Sequence, residues 1–268
     1  MTTMPTGAAP ASAYSFPRQD LIVLLLSLAG GNVDAVMILG FNVLTAAQTG
    51  NTILLAVSLA QGRLATGFYA AVSVIGYMAG AGVGELVIVR RRDSASWLSP
   101  VGWGLVVELV ALCGLLVSWR LAGRNPPVGM SAGLVAFAAV AMGIQSAAVL
   151  RLHLGPTTTY VTGTLTTFMT ETIRRLPLVE TAPARAPEAQ DPGSSILSPN
   201  GPVLYGVVWL VYAGGACVSG LLFLRIREAA FALPIIAIVA AIAAGVHGTE
   251  IKIQSGGGRG PSDKGSAA

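Results

Sequence analysis

The sequence predicts an all-α membrane protein: about six transmembrane helices plus two short, broken or half-span helices, arranged as two related halves. Three observations carry this. The 268 residues are 53% hydrophobic and 10% charged, with a mean hydropathy of +0.70, whereas a soluble domain usually has about 25% charged residues to coat its surface. Charged side chains are missing from 35–62, 64–84, 94–107, 125–150, 152–170, 192–224 and 229–249, and roughly 20 apolar residues suffice to cross a hydrocarbon core of about 30 Å. Finally, two parts of the chain repeat each other.

In chain order, residues 1–19 are rich in Thr, Ala and Pro and read as a disordered segment. The run Leu21 to Ala29 has the look of a signal-peptide core, but apolar sequence resumes at Val36-Met37-Ile38-Leu39, so an uncleaved first span over 20–40 is expected. Further spans are expected at 66–89, 100–122, 129–151, 203–225 and 229–248. Between Thr45 and Gly62 only Ile53 to Ala60 is unbroken by Gly or an amide, and such a piece reaches only about 12 Å as a helix. The other short element, Thr157 to Thr172, has nine threonines in sixteen positions. Lipid cannot satisfy irregular backbone, so both pieces must be packed inside protein or line a cavity. The Pro-rich stretch 177–202 reads as a solvent-exposed linker, and 249–268 as a flexible tail.

The repeat is specific. Residues 77–92 align without gaps to 212–227, with seven of sixteen positions identical, among them Tyr77 with Tyr212 and Gly80 with Gly215. Upstream, Gly31 to Asn51 recurs as Gly143 to Thr164 with one residue inserted. The halves are therefore read as 20–122 and 129–248. If the short segments enter and leave on one side, three crossings per half make the repeat inverted. A cytoplasmic N-terminus then leaves eleven basic residues inside and five outside, against ten and six if both short segments cross.

Composition also excludes function classes. The net charge of +4 and pI near 9.4 come from basic residues placed singly or in threes between apolar segments. That is the pattern of membrane loops, so the bilayer and not nucleic acid is the expected partner. Cys113 and Cys217 lie inside apolar segments, and His153 and His247 sit in no metal motif, so neither a metal, a cofactor nor an enzymatic centre is expected.

Two motifs, Ala29-Gly-Gly-Asn-Val-Asp34-Ala35 with Gln48-Thr49-Gly50-Asn51-Thr52, and Ala141-Met142-Gly143-Ile-Gln145-Ser-Ala147 with Thr158 to Leu165, resemble the YoaK-like bacterial multi-pass membrane proteins. The likeness covers about 20–248 and implies about six spans and no established activity. Asn32 stands where an aromatic is common in that family, and Ser146 where Asn is usual.

Asp34 lies fourteen residues beyond Asp20 in the first span, about 21 Å along the helix. A carboxylate at such depth costs about 2.5–3.5 kcal/mol to insert and calls for a partner or a wet cavity. Two readings stand: a proton or cation site completed by Asn32 and the Thr49-Gly50-Asn51 element, or an amide-bonded carboxyl that staples the halves together. Thr49-Gly50-Asn51-Thr52 reads as a helix start within the membrane, its side-chain oxygens capping free N–H groups, with Thr162-Gly163-Thr164 as its counterpart. Broken elements at matched places in two repeats point to a transporter site, though Gly and Thr also serve dry helix packing. Gln145 and Glu108 are further intramembrane polar candidates. Glu85 is expected to pair with Arg90, and Arg151 to anchor the membrane edge. Glu171 has the spacing to pair with Arg174 and Arg175. Gly76, Gly80 and Gly84 form a close-packing face that also leaves a homodimer open.

The expectation is a bacterial inner-membrane protein that moves a small solute or ion through a midplane site made by Asp34, Asn32, Thr49, Gly50, Asn51, Gln145, Thr162, Gly163, Thr164 and Glu108. The alternative is a non-transporting scaffold with a dry polar core.

Overall fold

The computed structural model describes residues 18–91, 99–123, 126–151, 161–174 and 201–256. Their regular structure is entirely helical: α1 (Arg18–Phe41), α2 (Gln48–Ala60), α3 (Leu64–Arg90), α4 (Pro100–Ala122), α5 (Val128–Arg151), α6 (Val161–Arg174), α7 (Gly201–Arg225), α8 (Arg227–Ala230) and α9 (Ala232–Gly256). Six helical stretches are long and apolar enough to cross a membrane: 20–41, 64–90, 100–122, 128–151, 203–225 and 227–246. The linker read over 177–202 lies outside the described residues except for Gly201 and Pro202, which open α7, and α9 continues to Gly256, into the segment read as a tail.

The two short elements are helices of 13 and 14 residues, about 20 Å each. Helix α2 is longer than its unbroken apolar run suggested, because its first turn is built from Gln48, Thr49 and Gly50. It still falls short of the bilayer. The α2–α3 turn is made at Gly62, whose φ of +68° disfavours any residue with a Cβ. Helix α4 starts at Ser99, whose hydroxyl accepts from the Gly102 N–H at 3.1 Å, with Pro100 in the first turn where its missing N–H costs nothing.

Helices α1 and α5 form the centre: 67% and 72% of their apolar windows are buried, against a third or less for the other four spans. Helix α1 packs on α7 and α9, and α5 on α3 and α4; α2 lies along α3, and α6 along α7. Leu26, Met37, Leu105, Leu112, Leu134, Met142 and Ile238 fill the core between them. The outward residues Leu64, Ile75, Leu121 and Leu224 are at least two-thirds exposed, as lipid-facing side chains should be.

Close approach is bought with glycine. A Cβ on Gly80 would overlap the Val140 carbonyl oxygen, and one on Gly84 would lie 3.0 Å from the Ile144 Cα. The glycine face of α3 is therefore occupied by α5 within the chain. At the α1–α7 crossing, Gly31 meets the Tyr212 carbonyl in the same way and Gly215 the Leu28 carbonyl. On the α5 side of the α3–α5 crossing, Gly143 meets the Tyr77 carbonyl.

Helix direction follows from which ends meet. One cavity is lined by the last turn of α1, the first turns of α3 and α5, and the last turns of α4 and α7. At the opposite end, Glu85 near the end of α3 pairs with Arg151 at the end of α5, and Arg91 stacks 4.3 Å over the Trp103 ring at the start of α4. The end of α1 and the start of α3 thus share one face, and α2 sits between them without changing sides. Glu85 takes Arg151 through two guanidinium nitrogens, Nε and Nη2, where the sequence had suggested Arg90. The reason is angular, since Arg90 is five positions along the same helix and points about 140° away.

Candidate functional site

The site grows from the end of α1. Asn42, with φ of 57°, breaks the helix, and residues 43–47 fold back along it. This returns the chain to Asp34, which is 3% exposed. Its Oδ1 accepts from the Thr45 N–H at 2.6 Å, the Ala46 N–H at 2.7 Å and the Thr45 hydroxyl at 3.1 Å. Its Oδ2 accepts from the Tyr212 hydroxyl at 2.7 Å. A carboxylate has about four lone-pair sites, two on each oxygen; three donors crowd Oδ1 and one meets Oδ2, so the site left open is on Oδ2. Asp34 fastens three elements: its own helix, the turn that leads into α2, and α7.

A second set of bonds completes the loop. Asn51 Oδ1 accepts from the Leu44 N–H at 3.0 Å, and its Nδ2 donates to the Leu44 carbonyl at 2.5 Å and to Ser73 Oγ at 2.9 Å. The Ser73 hydroxyl donates to the Leu44 carbonyl at 2.7 Å, and Gln48 Nε2 to the Thr45 carbonyl at 2.7 Å. Thr45, Asn51 and Ser73 are fully buried. Irregular backbone at membrane depth is satisfied here by side chains, the condition under which it is tolerated. The expected capping of α2 by Thr49 or Asn51 takes a different form. Its N-cap is Ala47, without a side-chain bond, and the Asn51 oxygen serves Leu44 instead.

The remaining candidates separate. Gln145 is fully buried and donates from Nε2 to the Leu26 carbonyl at 2.9 Å, tying α5 to α1. Thr164 is buried on α6, while Thr49 and Gly163 are exposed and Gly50 partly so. The side chain of Thr162 and the Glu171–Arg174 pairing lie outside the described residues. Asn32 and Glu108 are both 0% exposed, and neither the amide nor the carboxyl has a hydrogen-bond partner among the described residues. Asp34, Asn32 and Glu108 are not in the walls of the cavities lined by Trp103 or Trp119.

Sequence reasoning missed Tyr212, Thr45, Gln48 and Ser73 as members of the network. The match of Tyr77 to Tyr212 marked the tyrosine, and Gln48 opens the Gln-Thr-Gly-Asn-Thr motif. Ser73 had only its polarity in a charge-free run to single it out.

Comparison with known proteins agrees with the membrane architecture. The UPF0700 transmembrane protein YoaK of Bacillus subtilis (strain 168) is 29% identical over 170 residues, covering 62% of this chain and 71% of that protein. No solved structure matches the chain. A family model described as a protein of unknown function (DUF1275) matches residues 22–245, from the first span to the last, and the chain therefore belongs to that family of membrane proteins.

Proposed function

We propose that the protein is a small-solute or ion permease of a bacterial inner membrane, built from two inverted halves around a polar interior. The observation that carries this reading is that Asn32 and Glu108 are fully buried and without hydrogen-bond partners among the described residues. A buried polar group left unpaired costs about 1–3 kcal/mol, and more if charged. A membrane interior that retains two such groups supports a passage in which water, a proton or a polar solute meets them.

Two further features support the inverted halves. The glycine contacts correspond across the repeat: Gly31 on the Tyr212 carbonyl matches Gly143 on the Tyr77 carbonyl, and Gly80 on Val140 matches Gly215 on Leu28. Helix α1 ends at the face where α5 begins, so equivalent helices run in opposite directions. In this arrangement the face carrying Arg90, Arg91 and Arg151 is cytoplasmic. Asp34 fixes the α1–α2 loop as a wall of the interior, and the solute is met by Glu108 and Asn32.

A scaffold reading has one specific observation in its favour, the engagement of both Asp34 oxygens by donors of the chain itself. Proteoliposomes with a trapped pH dye, tested against a panel of ions and small metabolites, separate the two. Permeation predicts flux above protein-free vesicles, reduced at least tenfold by Glu108→Leu. The same variant should be more stable, since an apolar group replaces an unpartnered polar one. Flux at the protein-free level across the panel, with Glu108→Leu only raising stability, would establish the scaffold.

A further inference from the structure

At the face where α1, α4 and α7 end, two cavities of about 710 and 620 Å³ adjoin. They share Trp119 and Arg227 in their walls. The ring of Trp119 is at the centre of an aromatic cluster, 4.7 Å from Phe231, 5.7 Å from Phe223 and 5.9 Å from Phe41, and Phe41 in turn lies 6.1 Å from Tyr69. An interfacial aromatic belt sends rings outward to the headgroups. These rings instead converge from α1, α3, α4, α7 and the start of α9, leaving Trp119 only partly exposed.

The charge in the walls is one-sided. Arg120, Arg225, Arg227 and Glu228 line the smaller cavity, and Glu228 is held by Arg120 at 3.0 Å. Arg225 and Arg227 therefore set the local potential. The Arg227 guanidinium sits 5.3 Å from the Phe223 ring centroid, which orients its planar fork beside the aromatic wall. The larger cavity adds polar groups at Asn42, Thr66 and Ser131. An apolar aromatic wall beside a guanidinium, with a few neutral donors opposite, is the chemistry of an organic anion site: the head is received by planar N–H donors and the body stacks on a ring.

We propose that this double cavity binds a small organic anion, a carboxylate or phosphate ester with an apolar or aromatic body, its head on Arg227 and Arg225 and its body against Trp119. The assignment stands without the permease reading, since binding at this face requires no passage. It does connect to the interior. Phe41 and Asn42 line the larger cavity and lead directly into the loop whose Thr45 and Ala46 N–H groups are held by Asp34. A ligand seated there touches the chain a few residues from that fastening.

The test uses the full-length chain in nanodiscs of zwitterionic lipid, titrated with benzoate, with inorganic phosphate, and with phosphatidylglycerol blended into the disc. Binding is read from the change in tryptophan fluorescence and by calorimetry. Saturable benzoate binding is expected, with free phosphate weaker because it lacks a body to stack. Arg227→Gln should weaken benzoate roughly tenfold to a hundredfold, the loss of a charge-assisted bidentate contact, while Arg227→Lys keeps a larger part of it. Trp119→Leu should weaken benzoate more than phosphate. Thermal unfolding of each variant without ligand shows whether it is folded, and Arg120→Gln, directed at the Glu228 pair, gives a second surface change for comparison. Benzoate binding that is absent, or that survives Arg227→Gln unchanged in folded protein, overturns the proposal. Abolition of benzoate binding by phosphatidylglycerol alone would also overturn it, by showing that the cationic wall holds a lipid headgroup.

Discussion

Removal of the Asp34 carboxylate is the perturbation whose size the structure sets most directly. In Asp34→Ala the N–H groups of Thr45 and Ala46, now 2.6 and 2.7 Å from Oδ1, lose their acceptor inside the membrane. Two orphaned buried donors at about 1–3 kcal/mol each give a destabilisation of roughly 2–6 kcal/mol. Tyr212→Phe removes one inter-helix side-chain bond of 2.7 Å, and such bonds between membrane helices are worth about 0.6 kcal/mol on average and at most about 1.7. Asp34→Asn should fall between, since one amide oxygen can still receive the backbone donors without the charge. The assay is reversible unfolding of the purified protein in mixed micelles, run as a double-mutant cycle. Tyr212→Phe should cost measurably less in the Asp34→Ala background than in the native one. If Asp34→Ala costs no more than Tyr212→Phe, the loop does not depend on the carboxylate and the fastening argued above is wrong.

Two other outcomes can be checked on the same protein. Gly80→Ala and Gly143→Ala drive a methyl group into a facing carbonyl and should each cost about 1–3 kcal/mol, whereas Gly82→Ala and Gly133→Ala meet nothing within 4 Å and should be neutral or gain up to about 1 kcal/mol; equal tolerance at Gly80 and Gly82 would contradict the α3–α5 contact. With Cys113 and Cys217 replaced by Ala, cysteines introduced at Gly62 and Gly123 should react with a membrane-impermeant thiol reagent from the same side, and one at Arg91 from the other. Labelling of Gly62→Cys and Gly123→Cys from opposite sides would mean that α3 and α4 do not both cross the membrane.

The six spans were legible because a run of apolar residues long enough to cross a bilayer declares itself without reference to any partner. The glycines at 31, 80, 143 and 215 were legible as a pattern for a related reason: the close helix crossings they serve occur twice, so their spacing recurs in the chain. The fastening at Asp34 was only half legible. Depth identified the carboxylate, yet three of its four bonds come from Thr45 and Ala46, two of them from backbone N–H groups that any residue would supply. The fourth comes from a tyrosine 178 positions away. Sequence can show that a buried charge needs donors, but backbone donors have no residue type by which to recognise them. A related limit applies at Thr49 and Gly163, both exposed, since a conspicuous motif on a short helix says nothing about which side of that helix meets the protein. The two aligned segments also differ at Asp34 itself. Ser146 stands in the second half where Asp34 stands in the first, and its hydroxyl donates to the Met142 carbonyl one turn back in the same helix. A neutral hydroxyl supplies no charged acceptor for a turn, so the carboxylate fastening belongs to the first half alone.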